Sequence, residues 1–446
     1  MPVHRASGPA LVLALLAALV CPSVAMAAGP DELPLSNEAA MSGGAVLAAG
    51  RSAGSFWYNP ALLGRIHLSE TEANGEILGL RWTRIPDVAS LSLPDGSRTT
   101  TTLADSSFVA VPTTFAGAIA LTPKLTLGYG LFQPRASQFD ASADVLETNP
   151  DVGQTVFQLR HRVSTERYHG GIGLGYEVSP DFQIGASVFA VFDQSQREQQ
   201  LLVVRPGPDD QVLSAVANES AAVGTFALAT ALGVRGRLGR IVHAAASLRA
   251  PTFVLTQSIE GSQTLSEIGP DGSETSVEAI ELDDWRQTQL SGWGLSAGLS
   301  IGPGSWLVNL ELNGDTGTRP RSGPLGSKPS FGARLGGSVR LGDRASLGAG
   351  AFYQSPTGND ESFGSLSLHR FGGSIGVEIR RRLELANRHS IEFRTVVAAW
   401  YAHGRGTAAG LEVRSDPLQA LGAITTTSGP AQEHLLLLHV GSSIAF

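Results

Sequence analysis

From about residue 66 to the C-terminus, apolar and polar residues take turns with a period of two. Leu125, Leu127, Tyr129 and Leu131 alternate with Thr126, Gly128 and Gly130. Trp293, Leu295, Ala297, Leu299 and Ile301 alternate with Gly294, Ser296, Gly298 and Ser300. Phe331, Leu335, Val339 and Leu341 alternate with Arg334, Gly336, Ser338 and Arg340, and Phe371, Ile375, Val377 and Ile379 with Ser374, Gly376, Glu378 and Arg380. Only a β-strand puts neighbouring side chains on opposite faces, so this pattern excludes a helical protein. About 14 such segments can be counted along the chain.

The connections constrain the fold further. Thr122-Pro123, Ser179-Pro180-Asp181, Gly239-Arg240, Gly302-Pro303-Gly304 and Gly342-Asp343 are tight turns. Between them fall longer polar stretches at 83–106, 135–156, 201–218, 260–284, 316–328, 355–365 and 403–432, which read as loops. Short and long connections alternate, as in a transmembrane barrel with short turns on one rim and long loops on the other. The expected fold is all-β: a transmembrane antiparallel β-barrel of about 14 strands, each long enough to cross an apolar band roughly 25 Å tall.

The polar parity carries the charges. Glu177, Asp193, Glu311, Arg334, Arg340, Glu378, Arg380, Glu392 and Arg394 all lie on it and none lies on the apolar parity. A soluble sandwich would segregate charge in the same way. Its solvent face would also be rich in Lys, whereas this chain has two, Lys124 and Lys328, and its polar parity is crowded with Gly and Ser. A net charge of −8 argues against a nucleic-acid partner.

The first 28 residues have another purpose. His4 and Arg5 precede the apolar run Leu11–Val20, and Ala25-Met26-Ala27 is a small-x-small cleavage site. These are the parts of a secretory signal peptide, and no later stretch has the roughly 20 apolar residues of a membrane helix. The one Cys, Cys21, lies in this segment, so a disulfide scaffold is excluded. The expected organisation is a signal peptide (1–28), an N-terminal segment without alternation (29–65) and the barrel (66–446).

The final strand places Leu436, Leu438, Val440, Ile444 and Phe446 on one face and ends on Phe. This is similar to the C-terminal signature of bacterial outer-membrane barrels, and Phe446, Ile444, Val440 and Leu438 are the candidate signal for their assembly machinery. The implied location is the outer membrane of a Gram-negative bacterium, with its lipid as a partner.

The segment before the barrel contains Met41-Ser42-Gly43-Gly44-Ala45 and then Phe56-Trp57-Tyr58-Asn59-Pro60-Ala61-Leu62-Leu63. It resembles the N-terminus of the FadL-type outer-membrane transporters of long-chain fatty acids and other hydrophobic compounds. Phe108–Pro112 and Leu125–Pro134 resemble that family's second and third strands. The resemblance implies 14 strands and a lumen plugged by a hatch, here 29–65, with Asn59, Pro60 and Ala61 as its motif. It implies passive uptake of a fatty-acid-like ligand without a cofactor. Phe56, Trp57 and Tyr58 are the candidate ligand pocket, or they simply pack against the wall. Glu311, Arg334, Arg340, Glu378, Arg380, Glu392 and Arg394 form a candidate charge network in the lumen. A barrel of the same superfamily serving secretion or envelope assembly is the alternative.

Catalysis has little support. Gly-x-Ser-x-Gly occurs at Gly50–Gly54, Gly294–Gly298 and Gly372–Gly376, yet a nucleophile elbow needs a strand-turn-helix context that none of these positions offers. No His pair has metal-ligand spacing. The expectation is a protein with no catalytic or metal site.

Overall fold

The computed structural model describes residues 34–92, 98–108, 111–149, 153–206, 212–268, 274–279, 288–318, 327–357, 366–384, 390–414 and 424–446. The expected signal peptide (1–28), with Cys21, lies outside them. The described chain begins with a short helix, α1 (Asn37–Met41), and two 3-10 turns, η1 (Ala53–Trp57) and η2 (Pro60–Arg65). Eighteen strand segments follow. They are β1 (Glu70–Ser92), β2 (Arg98–Phe108), β3 (Val111–Thr122), β4 (Leu125–Asn149), β5 (Gly153–Ser179), β6 (Phe182–Pro206), β7 (Val212–Arg237), β8 (Val242–Arg249) and β9 (Thr252–Ile268). Then come β10 (Glu274–Ala279), β11 (Gln289–Ser291), β12 (Gly294–Ile301), β13 (Trp306–Asp315), β14 (Ser330–Leu341), β15 (Ala345–Gln354), β16 (Leu366–Glu384), β17 (Ser390–Arg414) and β18 (Ile424–Ala445).

All eighteen belong to one sheet. Antiparallel pairing of β1 with β18, from Glu70↔Ala445 to Arg84↔Gln432, closes it, and the Phe446 N–H donates to the Ser69 carbonyl at the seam. The closed barrel counts 15 strands rather than about 14. The difference arises where the wall is interrupted. β2 and β3 both pair with β1, and β8 and β9 both pair with β7. β10 and β11 pair with β9, while β12 pairs with β8.

The sequence reading errs more on strand length. Residues 135–149, 201–206, 212–218, 260–268, 403–414 and 424–432, read as loops from their polarity, are strand. β4 to β7 run 25, 27, 25 and 26 residues, whereas β12 to β15 have 8, 10, 12 and 10. At roughly 3.3 Å per residue, the tall wall stretches about 80 Å along its strands, more than twice the short wall. Polarity on the outward face marks water, not the end of a strand.

The exterior of the lower barrel is a continuous apolar band. Ile119, Leu174, Ile184, Val188, Leu232, Leu310, Leu335, Ile375 and Val397 are all exposed on it. Phe192, Phe226, Phe331, Phe371, Tyr401 and Trp82 mark its upper edge. Such a band, with aromatic residues at its border, is stable against hydrocarbon rather than water. Among the described residues no helix is long and apolar enough to cross a membrane.

Candidate functional site: the filled lumen

The inward parity of the wall does not enclose open space. Residues 34–66 lie inside the barrel and are buried almost throughout. Their backbone is irregular, so its polar groups need partners that a helix or sheet would have supplied internally. The wall supplies them. Glu72, fully buried, accepts from the N–H groups of Asn37 (2.6 Å) and Gly54 (2.8 Å). Glu311 accepts from those of Val46 and Leu47, both at 3.2 Å, and binds Arg334 at 3.2 Å. Arg334 also donates to the Gly44 carbonyl, and Asn309 to that of Ala45. On the opposite wall, Arg235 donates to the Ala48 carbonyl (2.8 Å) and Arg249 to that of Trp57 (2.7 Å).

Glycine makes this approach possible. A Cβ on Gly336 or Gly350 would collide with the Ser42 backbone, one on Gly185 with the Pro60 backbone, and one on Gly233 with the Asn59 carboxamide. The Gly-rich polar parity is therefore a pair of smooth tracks, on β14–β16 and on β4–β7, along which the segment lies directly against the wall. Gly43 and Gly44, at φ 62° and 82°, turn the chain after α1 where a side chain would be strained.

The Asn-Pro-Ala motif sits where these contacts converge. Asn59 is fully buried, and its Oδ1 caps η2 by accepting from the Ala61 N–H at 3.0 Å. Its Nδ2 donates to the carbonyls of Leu47 (3.1 Å) and Val234 (3.2 Å). Pro60 takes the first turn of η2, where a missing N–H costs nothing.

Phe56, Trp57 and Tyr58 are buried and pack against the inner wall. Phe56 stacks on Phe189 (5.8 Å) and meets Phe132 edge-on (5.3 Å), and Trp57 lies between Phe132, His169 and the Arg249 guanidinium. The Tyr58 hydroxyl accepts from the Leu35 N–H at 3.1 Å.

The ion pairs among the seven charged residues fall at two levels of the lumen. Glu311 and Arg334 are a buried pair beneath the N-terminal segment. Glu378 pairs with Arg380, and Arg394 bridges Glu392 (2.6 Å) and Glu70 (3.7 Å). Arg340 is exposed near the short-turn rim. Sequence reasoning missed the carboxylates and arginines in direct contact with the segment, Glu72, Arg235 and Arg249, and also Glu433, which binds both Arg370 (3.1 Å) and Arg81 (3.8 Å). Alternation placed them on the inward face, but only the closed barrel sets their partners. Phe446, Ile444, Val440 and Leu438 all lie on the outward face of β18, with Phe446 62% exposed.

Two cavities flank this filling. The upper one, about 30 Å³ and partly open, has the stacked pair Phe352 and Trp400 (4.6 Å between ring centres) on one side and Arg81, Arg334 and Arg370 around it. The lower one, about 80 Å³, lies between the N-terminal segment and the short wall, with Glu38, Arg51, Arg340, Glu378 and Arg380 on its surface. The serines of two Gly-x-Ser-x-Gly matches have structural partners. Ser374 Oγ accepts from the Gly43 N–H at 2.8 Å, and Ser52 Oγ lies 3.2 Å from Ser55 Oγ.

Above the cavities, at the long-loop end, the inward face turns apolar. Ile85, Leu103, Phe157, Leu159, Leu201, Val203, Leu213 and Leu411 form one buried cluster. Beyond Asp87 (φ 49°), β1 leaves β18 and pairs in parallel with β17, from Ala89↔Leu411 to Ser92↔Arg414. This ladder draws the wall together across the mouth.

No family model matches the sequence, and no curated protein matches it. Solved structures do match. A Pseudomonas aeruginosa FadL homologue aligns over 94% of this chain and 99% of its own, with TM-score 0.57 and 8% identity. The Pseudomonas putida toluene transporter TodX aligns over 92% and 98%, with TM-score 0.56 and 16% identity. The CymD monoaromatic hydrocarbon channel aligns over 94% and 99%, with TM-score 0.55 and 13% identity. At such identities the likeness is one of fold, and it spans nearly the whole of both chains: this protein has the barrel fold of the FadL-type outer-membrane transporters.

Proposed function

We propose that the protein is an outer-membrane channel for passive uptake of hydrophobic compounds, gated by residues 29–65 acting as a hatch. The observation that carries this reading is a barrel with an apolar exterior whose lumen is filled by its own N-terminal segment and retains an aromatic cavity beside it. A barrel this wide would otherwise be a water-filled pore. A segment held by separate hydrogen bonds to the wall, rather than by a sheet ladder of its own, can shift locally without unfolding the barrel.

In this reading an apolar ligand enters through the apolar outer cluster and rests against Phe352 and Trp400. A carboxylate headgroup, as on a fatty acid, would meet the guanidinium groups of Arg81 and Arg370, which border this cavity. Movement of the segment away from β13–β16 would enlarge the lower cavity into an exit. Phe56, Trp57 and Tyr58 then anchor the hatch and form the inner wall of the path. TodX is a toluene transporter and CymD a monoaromatic hydrocarbon channel, which supports an apolar ligand; the length of its chain is left to experiment.

The test is mass spectrometry of lipophilic molecules that copurify with the folded barrel in two unrelated detergents, paired with uptake by whole cells. A reproducible fatty acid or hydrocarbon, lost in Trp400→Ala together with uptake, is the expected result. No bound lipophile and normal uptake in a deletion strain would overturn the reading in favour of an assembly or secretion partner, to be sought by pull-down.

A further inference from the structure

The outward face of the seam carries chemistry that transport does not use. On four neighbouring strands, one row above the aromatic border, Arg84, Gln432, Arg405 and His369 stand side by side: Arg84 pairs with Gln432, Gln432 with Arg405, and Arg405 with His369. With adjacent strands about 4.8 Å apart, the two arginines flank Gln432 at a Cα separation of about 10 Å. Arg84, Arg405 and His369 are exposed. The row beneath is Trp82, His434, His403 and Phe371. His403 and His434 lie 4.6 Å apart, the Tyr401 hydroxyl is 2.8 Å from His434 Nδ1, and the Tyr353 hydroxyl is 2.9 Å from His369 Nδ1.

The level of this row along the barrel is fixed by β18. From Phe446 at the lower rim to His434, the outward residues include Ile444, Val440, Leu438 and Leu436. Twelve residues at 3.3 Å, tilted by about 40°, rise about 30 Å, close to one hydrocarbon thickness. Arg84 and Arg405 therefore stand at headgroup height of the leaflet on the long-loop side. Glu433, the nearest acid on β18, faces the lumen and is taken up by Arg81 and Arg370. Asp87, the acid above Arg84 on β1, accepts from the Thr100 hydroxyl at 2.7 Å. Neither arginine has an ion pair with a described residue.

We propose that this face holds one phosphate-bearing lipid of that leaflet. Its phosphomonoester would lie between the guanidinium groups of Arg84 and Arg405, with His369, His403 and His434 as further donors, and its acyl chains would run down over Leu436, Val397 and Ile375. Guanidinium matches phosphate with two parallel hydrogen bonds, and aromatic side chains at the border hold the height of the seam in the bilayer. The proposal rests on the membrane reading above.

The experiment folds the full chain into phosphatidylcholine vesicles doped with a bis-phosphorylated glucosamine lipid, or with the same lipid stripped of phosphate. Flotation reads insertion, and intact-mass measurement after mild detergent extraction reads retained lipid. Wild type should keep the phosphorylated lipid and not the stripped one. Arg84→Gln with Arg405→Gln should lower retention about tenfold or more, corresponding to a loss of at least about 1.4 kcal/mol. Arg160→Gln with Arg162→Gln, which removes arginines already engaged with Asp140, should leave retention unchanged. If the double variant folds poorly, Arg405→Gln alone is read. Equal retention of the two lipids, or an unaffected seam variant, overturns the site alone. A wild-type chain that does not float overturns the membrane reading and the site together.

Discussion

A single strand, β6, obeys opposite rules in its two halves. In its lower half Ile184, Val188 and Phe192 point outward and Gln183 and Ser187 point inward. In its upper half Gln194, Gln196, Glu198 and Gln200 point outward, and Leu201 and Val203 are buried inside. The parity of the strand never changes; the chemistry assigned to each parity does. Below the aromatic border the outside demands apolar atoms and the inside offers polar partners to the N-terminal segment. Above it the outside is solvent and the inside collapses as the core of a water-soluble sheet would. β5 repeats the inversion, with Ile172 and Leu174 exposed below and Phe157 and Leu159 buried above. The tall wall is thus an apolar-clad barrel continued upward as one with a polar exterior, and the short wall of β12–β15 is the apolar-clad part alone.

Four substitutions, three tests and one paired control, would break or sharpen this contrast, the tests taken in order of expected effect. Glu311→Ala in the lower lumen strips Arg334 of its buried partner and orphans the Val46 and Leu47 N–H groups. It should cost about 3–5 kcal/mol and expose the N-terminal segment to protease, while the barrel keeps its compact, heat-modifiable migration. If the segment stays protected, the lower lumen is not held by these bonds. Leu228→Arg, outward on β7 below the border, should cost about 2–4 kcal/mol in vesicle refolding titrations. Ser220→Arg, eight residues higher on the same face, should stay within about 0.5 kcal/mol. Equal penalties would mean that both levels see the same solvent. Asn59→Ala should cost about 0.5–2 kcal/mol through loss of its cap, read as faster proteolysis near η2 with refolding of the wall unchanged.

Much of this was legible in the residues. Period two specified strands, the turn chemistry placed the short rim, and the parity of Glu311, Arg334, Arg394 and the C-terminal Phe446 put each on its observed face. The strand extensions were not legible: in residues 135–149 Gln138, Ser142 and Asp144 face outward over the small inward Ala141 and Ala143, and an exterior this polar resembles a loop when its inward partners are small. The roles of Glu72, Arg235 and Arg249 were hidden for a different reason: their partners lie far away in sequence, across a lumen that exists only once β1 meets β18.

The sequence by itself determined which side chains share a face, because alternation is a property of the strand backbone and needs no neighbours. It also determined that an irregular segment precedes the barrel and that Gly is concentrated on the face toward it. The tertiary structure decided what each face meets. It placed residues 34–66 within reach of Glu72, Glu311 and Arg235, turned the inward side of the outer extension into a packed core, and bent β1 at Asp87 onto β17 to draw the mouth together. Closure is the physical reason: joining the first strand to the last turns one face of a sheet into an interior, and only then does an inward residue acquire a definite partner.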